Sequence, residues 1–334
     1  MELANNSFAN PTFLFRFRNS AFYRFSKHVF SSLTWHLARH QALTQQQQKV
    51  VYDLERDGIA FADLATFGMD SEVLNSLIAE SVAIADNKAM VEDTTDPSKS
   101  KFRKNFWYKL LGHSVIRPSH PDIFSRVSLS PSLIRTVNEY LKCYSWLMDY
   151  NLWLNLPTNE ESKSSQMWHR DHVIYGPDGT YSKKTRKLVK IFLYLHDVTE
   201  DTGALTYLPG SQKTGPLQHL EPPKAIVEDT LAARVSDEVM ERFVPQSQWL
   251  SAAGKVGTLV FFDASGYHKG GRVMRDRRML FKIEFGSWLW LNPLYPKVHI
   301  QKIDKYKYGY LPELRWAASI MNFMPQNVRN ARQD

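Results

Sequence analysis

The stretch "IFLYLHDVTEDTGALTYLPGSQKTG", Ile191 to Gly215, decides the class of fold. It opens with aromatic and β-branched residues suited to a buried strand, breaks at Asp197, and closes on a Pro-Gly turn after a second short apolar run. A hairpin ending in an ordinary turn would explain the turn residues. It would not explain a strand, an Asp-Val-Thr, a Gly-x-Leu and a Pro-Gly-Ser-x-Lys following one another in a single run.

Outward from this stretch, the chain from about Tyr144 has the same texture. "YNLWLNL", "MWHRDHVIY", "KLVKIFLYLHDV", "ALTYLPG", "TLVFFDA" and "RMLFKIEFGSWLWL" read as strands bounded by Pro, Gly, Asn and Asp, with one helical insertion from Ala225 to Phe243. Upstream the pattern is helical. Phe22, Phe25, Val29, Leu33 and Leu37 recur at spacings of three and four between Ser20 and His40, which predicts an amphipathic helix. Thr44 and Gln47 form a capping box for a helix through Leu54, ended by Gly58 before the strand-like "IAFADL". "SEVLNSLIAESVAIA" supplies a third helix, and Ser130-Pro131 starts a fourth toward Leu141. Helices followed by many short strands predict an α+β protein on an antiparallel β-sandwich or barrel. We divide it into a basic helical leader (1–43), a main domain with flanking helices (44–290) and a C-terminal extension (291–334).

At 334 residues, 43% of them hydrophobic, the chain can bury a substantial core. Its one cysteine, Cys143, excludes an internal disulfide and any site of several thiolates, so a metal must be held by histidine and carboxylate. No apolar run is long enough to span a bilayer, and arginines interrupt "FLFRFRNSAFYRF" too often for a signal peptide, so a cytoplasmic location is expected. The net charge of +8 is concentrated in the leader: Leu3 to Tyr52 contains no acid but includes Arg16, Arg18, Arg24, Lys27, Arg39 and Lys49. No nucleic-acid motif accompanies that charge, and no nucleic-acid partner is expected. The leader helix can dock on the main domain, lie on an anionic membrane as a peripheral contact through residues 20–40, or recruit a partner.

In "SQMWHRDHVIYG", Ser165 to Gly176, the His169-Arg170-Asp171 tripeptide matches the catalytic loop of a protein kinase, but Gly176 stands where that loop needs Asn and no G-x-G-x-x-G occurs. The metal reading fares better. On a strand, His169 and Asp171 project from one face. A third ligand is available in "FFDASGYHKGGR", where His268 sits in a Gly-rich turn. Two histidines and a carboxylate form the facial triad of non-haem Fe(II) oxygenases, and no H-E-x-x-H points to zinc hydrolysis instead. His-x-Asp alone is common, and a lone histidine is usually structural.

Four blocks in order give the site its weight: "MWHRD", the stretch quoted at the outset, "GTLVFFDASGYHKGG" and "RRMLFKIEF". In them the chain resembles the phytanoyl-CoA dioxygenase-like branch of the Fe(II)/2-oxoglutarate-dependent oxygenases, over roughly Leu152 to Gly286. The resemblance implies a double-stranded β-helix, a cupin-like jelly roll with helices packed outside, using Fe(II), 2-oxoglutarate and O2. It implies iron on His169, Asp171 and His268. It also implies an arginine at the start of the following strand for the far carboxylate of 2-oxoglutarate. Arg277 is the expected residue and Arg278 the runner-up. Leu152 and Phe192 would line the cosubstrate pocket, although each can equally be core, and Gly270 replaces a serine that the family often has.

The activity so implied is oxidation, usually hydroxylation, of an unactivated C–H bond of a small molecule, with 2-oxoglutarate converted to succinate. Lys183, Lys184, Arg186, Lys187 and Lys190 would suit an anionic or lipid-linked substrate, or form a solvated loop. The aromatic "NFWYKLL" and "GSWLWLNPLYP" can wall a substrate or belong to the core. A cupin-like metalloenzyme that does not use 2-oxoglutarate and a non-catalytic binding protein are the rival readings.

Overall fold

A computed structural model of the chain describes residues 21–38, 42–87, 107–111, 114–116, 122–157, 164–171, 187–221, 234–287 and 298–300. Helix α1 (Ala21–Leu37) precedes α2 (Gln45–Asp57), which begins in the predicted capping box: Thr44 accepts from the Gln47 N–H, and the Gln47 side chain accepts from the Thr44 N–H. Gly58 ends α2 with φ 78°, and a Cβ there would lie 2.4 Å from the Tyr207 hydroxyl, so glycine is required twice over. Strand β1 (Ile59–Ala62) and helix α3 (Ser71–Asp86, capped by Asp70) follow, then β2 (Trp107–Lys109) and β3 (Ser114–Ile116). Helices α4 (Ile123–Ser128) and α5 (Pro131–Leu141) lead into β4 (Trp146–Asn155). Proline takes the first turn of α5 as predicted, but the Ser130 side chain makes no capping bond.

The remaining strands are β5 (Leu188–Tyr194), β6 (Thr206–Tyr207), β7 (Leu250–Ser251), β8 (Leu259–Asp263), β9 (His268–Lys269), β10 (Arg278–Gly286) and β11 (Val298–Ile300). The expected insertion from Ala225 contributes only the short α6 (Asp237–Glu241) among the described residues. Six strands form an antiparallel sheet in the order β1-β8-β5-β10-β4-β2, three form a second in the order β7-β6-β9, and β3 pairs with β11 in parallel.

Both faces of the six-stranded sheet are buried, and strand alternation gives them different chemistry. Met279, Phe281, Ile283 and Phe285 of β10 join Leu152 and Leu154 of β4, Val189, Ile191 and Leu193 of β5 and Phe261 of β8 in a core covered by α2, α3, α4 and α5. Each such side chain contributes about 1.5–3 kcal/mol through burial. The opposite face carries Phe192, Tyr194, Val260, Phe262 and Leu280, packed against Leu205 and against Tyr207 of the small sheet's β6. It also carries Lys282, whose ammonium is bonded to both Asp149 (2.9 Å) and Glu284. Burial alone would lower the pKa of Lys282, but the two carboxylates outweigh it and hold the value above that of an ordinary lysine. Alternation with Asn151 and Trp153 puts Asp149 on this face, and a bulge just beyond it, where Glu284 pairs with Asp149 and Phe285 with Leu147, leaves Met148 on the same side.

Helix α1 departs from expectation in its orientation. Its docked side is Ser31 and Trp35, with the Ser32 hydroxyl donating to Lys142 O (3.0 Å) and the Lys142 ammonium 5.9 Å from the Trp35 ring. The predicted stripe faces outward: Phe25, Val29, Leu33 and Leu37 are 60%, 45%, 53% and 76% exposed. One tryptophan and a polar anchor decide the docking, so the periodic leucines do not mark the buried side. Trp35→Ala is therefore expected to destabilise the protein by about 3 kcal/mol, whereas Leu33→Ser should change stability by no more than about 0.5 kcal/mol. Urea unfolding of the two variants measures both, and the reverse ranking would mean that the stripe is the docked face.

Candidate metal centre

The segment expected as a strand around "MWHRDHVIY" pairs only through isolated bridges, Trp168 with Val235 and His169 with His268, and Asp171 lies at a turn. The His bridge is reciprocal: each backbone N–H donates to the other's carbonyl, at 3.0 and 2.9 Å. The Asp171 N–H donates to Ala264 O at 2.9 Å and holds the turn against the end of β8. These bonds bring the two imidazoles to 4.4 Å between ring centroids. The ligand-capable atoms of His169, Asp171 and His268 all lie within 4.8 Å of one another.

The local bonding suits metal binding. His169 Nδ1 lies 2.8 Å from Met167 O and His268 Nδ1 lies 3.0 Å from Gly266 O; each Nδ1–H donates to its carbonyl, leaving Nε2 as the lone-pair donor. Both Nε2 atoms face the carboxylate, His169 at 3.9 Å from Asp171 Oδ1 and His268 at 3.6 Å from Oδ2. Burial, then the neighbouring His268, pushes the His169 pKa down to about 3, and burial lowers that of His268. Two neutral imidazoles and one carboxylate therefore stand ready at neutral pH, the donor set expected for a non-haem ferrous ion.

The conspicuous sequence blocks prove to be scaffolding for this cluster. Tyr267 N–H donates to Ser211 Oγ (2.7 Å), and Lys213 N–H donates to Ser265 Oγ (3.0 Å), so the Pro-Gly-Ser-Gln-Lys turn grips the approach to His268. Gln212 Nε2 donates to Glu55 O (3.1 Å) and Gly210 N–H to Asp57 O (2.9 Å), which satisfies the C-terminal carbonyls of α2. Asp263 accepts from Tyr140 Oη at 2.6 Å and from the Ser265 N–H at 2.9 Å. Arg170 points away from the triad. Its guanidinium donates to Gln218 O and Leu217 O and lies 4.4 Å from the Tyr267 ring centroid.

Of the expected pocket residues, Phe192 is on the triad's face: its ring lies 5.0 Å from that of Phe262, which lies 5.2 Å from His268. Leu152 is not; it packs in the helix-side core opposite Phe281. The arginine register also differs from expectation. Arg277 is partly exposed and paired with Asp86 at 2.8 Å. Arg278 is buried on the charged face, where it donates to Asn155 Oδ1 (3.0 Å) and to Gly203 O. Its pKa is pushed down to about 10 by burial, and no carboxylate among the described residues pairs with it. The reason is alternation: with Met279, Phe281, Ile283 and Phe285 toward the helices, Arg278 must face the other way.

The basic segment before β5 is divided. Lys187 turns to Tyr140, donating to its carbonyl at 3.2 Å, while Lys190 reaches Asp171; Lys183, Lys184 and Arg186 lie outside the described residues. So do Asn105 and Phe106 of "NFWYKLL" and all of "GSWLWLNPLYP" after Ser287. At Gly270 the N–H donates to Ser165 O at 2.7 Å.

The family model for phytanoyl-CoA dioxygenase (PhyH) matches residues 60–279, a span that holds all three members of the triad and Arg278. The chain belongs to the phytanoyl-CoA dioxygenase family. No curated protein matches its sequence. Among solved structures it is similar to EctD from S. alaskensis with bound Fe, at 16% identity and a TM-score of 0.48, covering 75% of this chain and 79% of that one. It is also similar to HygX from Streptomyces hygroscopicus with nickel and 2-oxoglutarate bound, at 16% identity and 0.47, covering 73% and 87%. The epimerase SnoN in complex with Fe3+, alpha ketoglutarate and nogalamycin RO gives 14% and 0.45, covering 72% and 82%. Membership in the family rests on the sequence match. No helix among the described residues is long and apolar enough to cross a membrane.

The buried imidazoles carry a pH signature. Their folded pKa values lie below the ordinary 6.5, so the unfolded chain takes up protons that the folded chain refuses; stability is full above about pH 6.5 and falls as the pH drops toward the folded values. At about 1.4 kcal/mol per pH unit, His169→Gln is expected to remove about 2 kcal/mol of the loss between pH 7 and 5. Urea unfolding of metal-free protein at the two pH values tests this, and an unchanged difference would show that His169 is accessible to protons in the folded state.

Proposed function

We propose that this protein is an Fe(II)/2-oxoglutarate-dependent dioxygenase that hydroxylates an unactivated C–H bond of a small molecule, on a double-stranded β-helix closed by the two sheets. The observation that carries the reading is the convergence of His169, Asp171 and His268, each presenting a lone pair to one point. His169 Nε2, His268 Nε2 and the Asp171 carboxylate would hold the iron. The bound ion supplies activation of dioxygen coupled to decarboxylation of 2-oxoglutarate to succinate and carbon dioxide, with the second oxygen atom passing to the substrate C–H.

The chain's own contribution is placement and exclusion of water. Arg278 is a buried guanidinium without an acidic partner among the described residues, an arrangement that is costly unless a carboxylate arrives. It would take the far carboxylate of 2-oxoglutarate in a two-pronged bond. Phe192, wedged between Trp153 and Phe262, would supply an apolar wall beside the cosubstrate. Small-molecule substrates fit a site walled in this way. The outward stripe of α1 supports peripheral contact with an anionic membrane as a further property of the leader, which vesicle co-sedimentation at low salt would reveal.

Anaerobic addition of Fe(II) and 2-oxoglutarate should produce the weak visible charge-transfer band of a chelated keto acid, and His268→Ala should abolish it. Arg278→Ala is expected to raise the 2-oxoglutarate requirement several hundredfold, from the roughly 3–5 kcal/mol cost of truncating one side of a buried pair. Arg277→Ala, at an exposed surface pair, should change it less than threefold. Iron binding and turnover without dependence on 2-oxoglutarate would instead support a metalloenzyme of another kind.

A further inference from the structure

Lys190 stands apart from the machinery so far described. It lies on β5 between Val189 and Ile191, both buried in the helix-side core, so its side chain emerges on the triad's face beside Phe192. Its ammonium contacts Asp171 Oδ2, and both side chains are largely buried, at 12% and 20% exposure. That oxygen is the one facing His268 Nε2 at 3.6 Å. The ammonium thus sits on an oxygen that the triad would present to an ion.

We infer that Lys190 is a positioning residue acting through Asp171, a resident counter-cation that holds the carboxylate in the metal-free site and weakens the triad's grip on its metal; the inference rests on the metal-site reading above. Asp171 is largely buried, and a buried carboxylate is costly unless a cation stands beside it, as the Lys190 ammonium does. A divalent ion must then share this carboxylate with a fixed positive charge, and the repulsion between ammonium and ion opposes binding. The same contact also orients Asp171, which favours binding. One hydrogen bond to a single side chain fixes little more than one torsion, so repulsion of a doubly charged ion outweighs it. Glu284 gives the ammonium somewhere to turn once the ion arrives: it is the cross-strand partner of Lys190 and its carboxylate lies on the same face. The result is a centre whose ligands are preset before loading and whose metal remains exchangeable.

The test compares the full-length protein with Lys190→Met, which keeps length and loses charge, and Lys190→Arg, which keeps charge. Ni(II) and Fe(II) are titrated anaerobically at one fixed pH, and thermal unfolding is followed with and without metal. Lys190→Met is expected to bind both ions at least tenfold more tightly while its metal-free form melts at a lower temperature, and Lys190→Arg should bind within about threefold of native. Unchanged or weaker metal binding by a folded Lys190→Met would overturn the inference and leave Lys190 a structural or purely orienting residue. Should Lys190→Met fail to fold, Lys190→Gln serves the same comparison, and Lys190→Arg binding as tightly as an uncharged variant would equally count against a charge effect. Native protein that binds neither ion would remove the metal-site reading and this inference together, whereas native binding abolished by His268→Ala keeps the former standing whatever Lys190 does.

Discussion

Two backbone hydrogen bonds between His169 and His268 are the constraint on which the site depends. They fix two distant segments to each other at the two histidines of the triad, so the geometry of the cluster is set by main-chain pairing and not by side-chain packing alone. Everything around them limits the freedom of that pair. Asp171 is tied to Ala264 O, Ser211 and Ser265 fasten the approach to His268, and the two Nδ1–H bonds fix ring orientation. A site built in this way forms when the strands dock and needs little further ordering to receive an ion.

The second organising fact is the division of labour between the faces of the six-stranded sheet. One is hydrocarbon against helices, and supplies most of the burial. The other tolerates Asp149, Lys190, Arg278, Lys282 and Glu284 inside the molecule because each has a partner or, for Arg278, hydrogen bonds to Asn155 and Gly203. Buried ion pairs of this kind add little net stability and are expensive to break. Their presence beside a metal site is better understood as control of local charge than as support for the fold.

Much of this was legible in the sequence, and what was missed has a definite cause. The capping box at Thr44, the Gly58 stop, α3, the main strands and the three clustered ligands follow from periodicity, turn chemistry and ordered motifs. Register was the weak point. "RMLFKIEF" contains its own answer, since four apolar residues at even spacing leave Arg278 on the opposite face, yet the family resemblance pointed to Arg277, the first of the two arginines. Lys190 was hidden in the same manner, grouped by composition with a basic loop when Val189 and Ile191 already assign it to the interior. Leu152 misled through proximity in sequence, because a strand residue one position away faces the other layer. For α1 the amphipathic pattern found the helix but not its docked side, which a single Trp35 determines.

The turn at Gly210 and Gln212 joins parts of the chain that the family match separates. Residues 60–279 begin after α2, yet the last carbonyls of α2 are capped from the same turn whose Ser211 secures Tyr267 beside His268. The helix that lies outside the matched span is therefore mechanically continuous with the metal site. A boundary drawn by sequence similarity would cut through a single clamp, leaving Glu55, Arg56 and Asp57 on one side and the support of a metal ligand on the other.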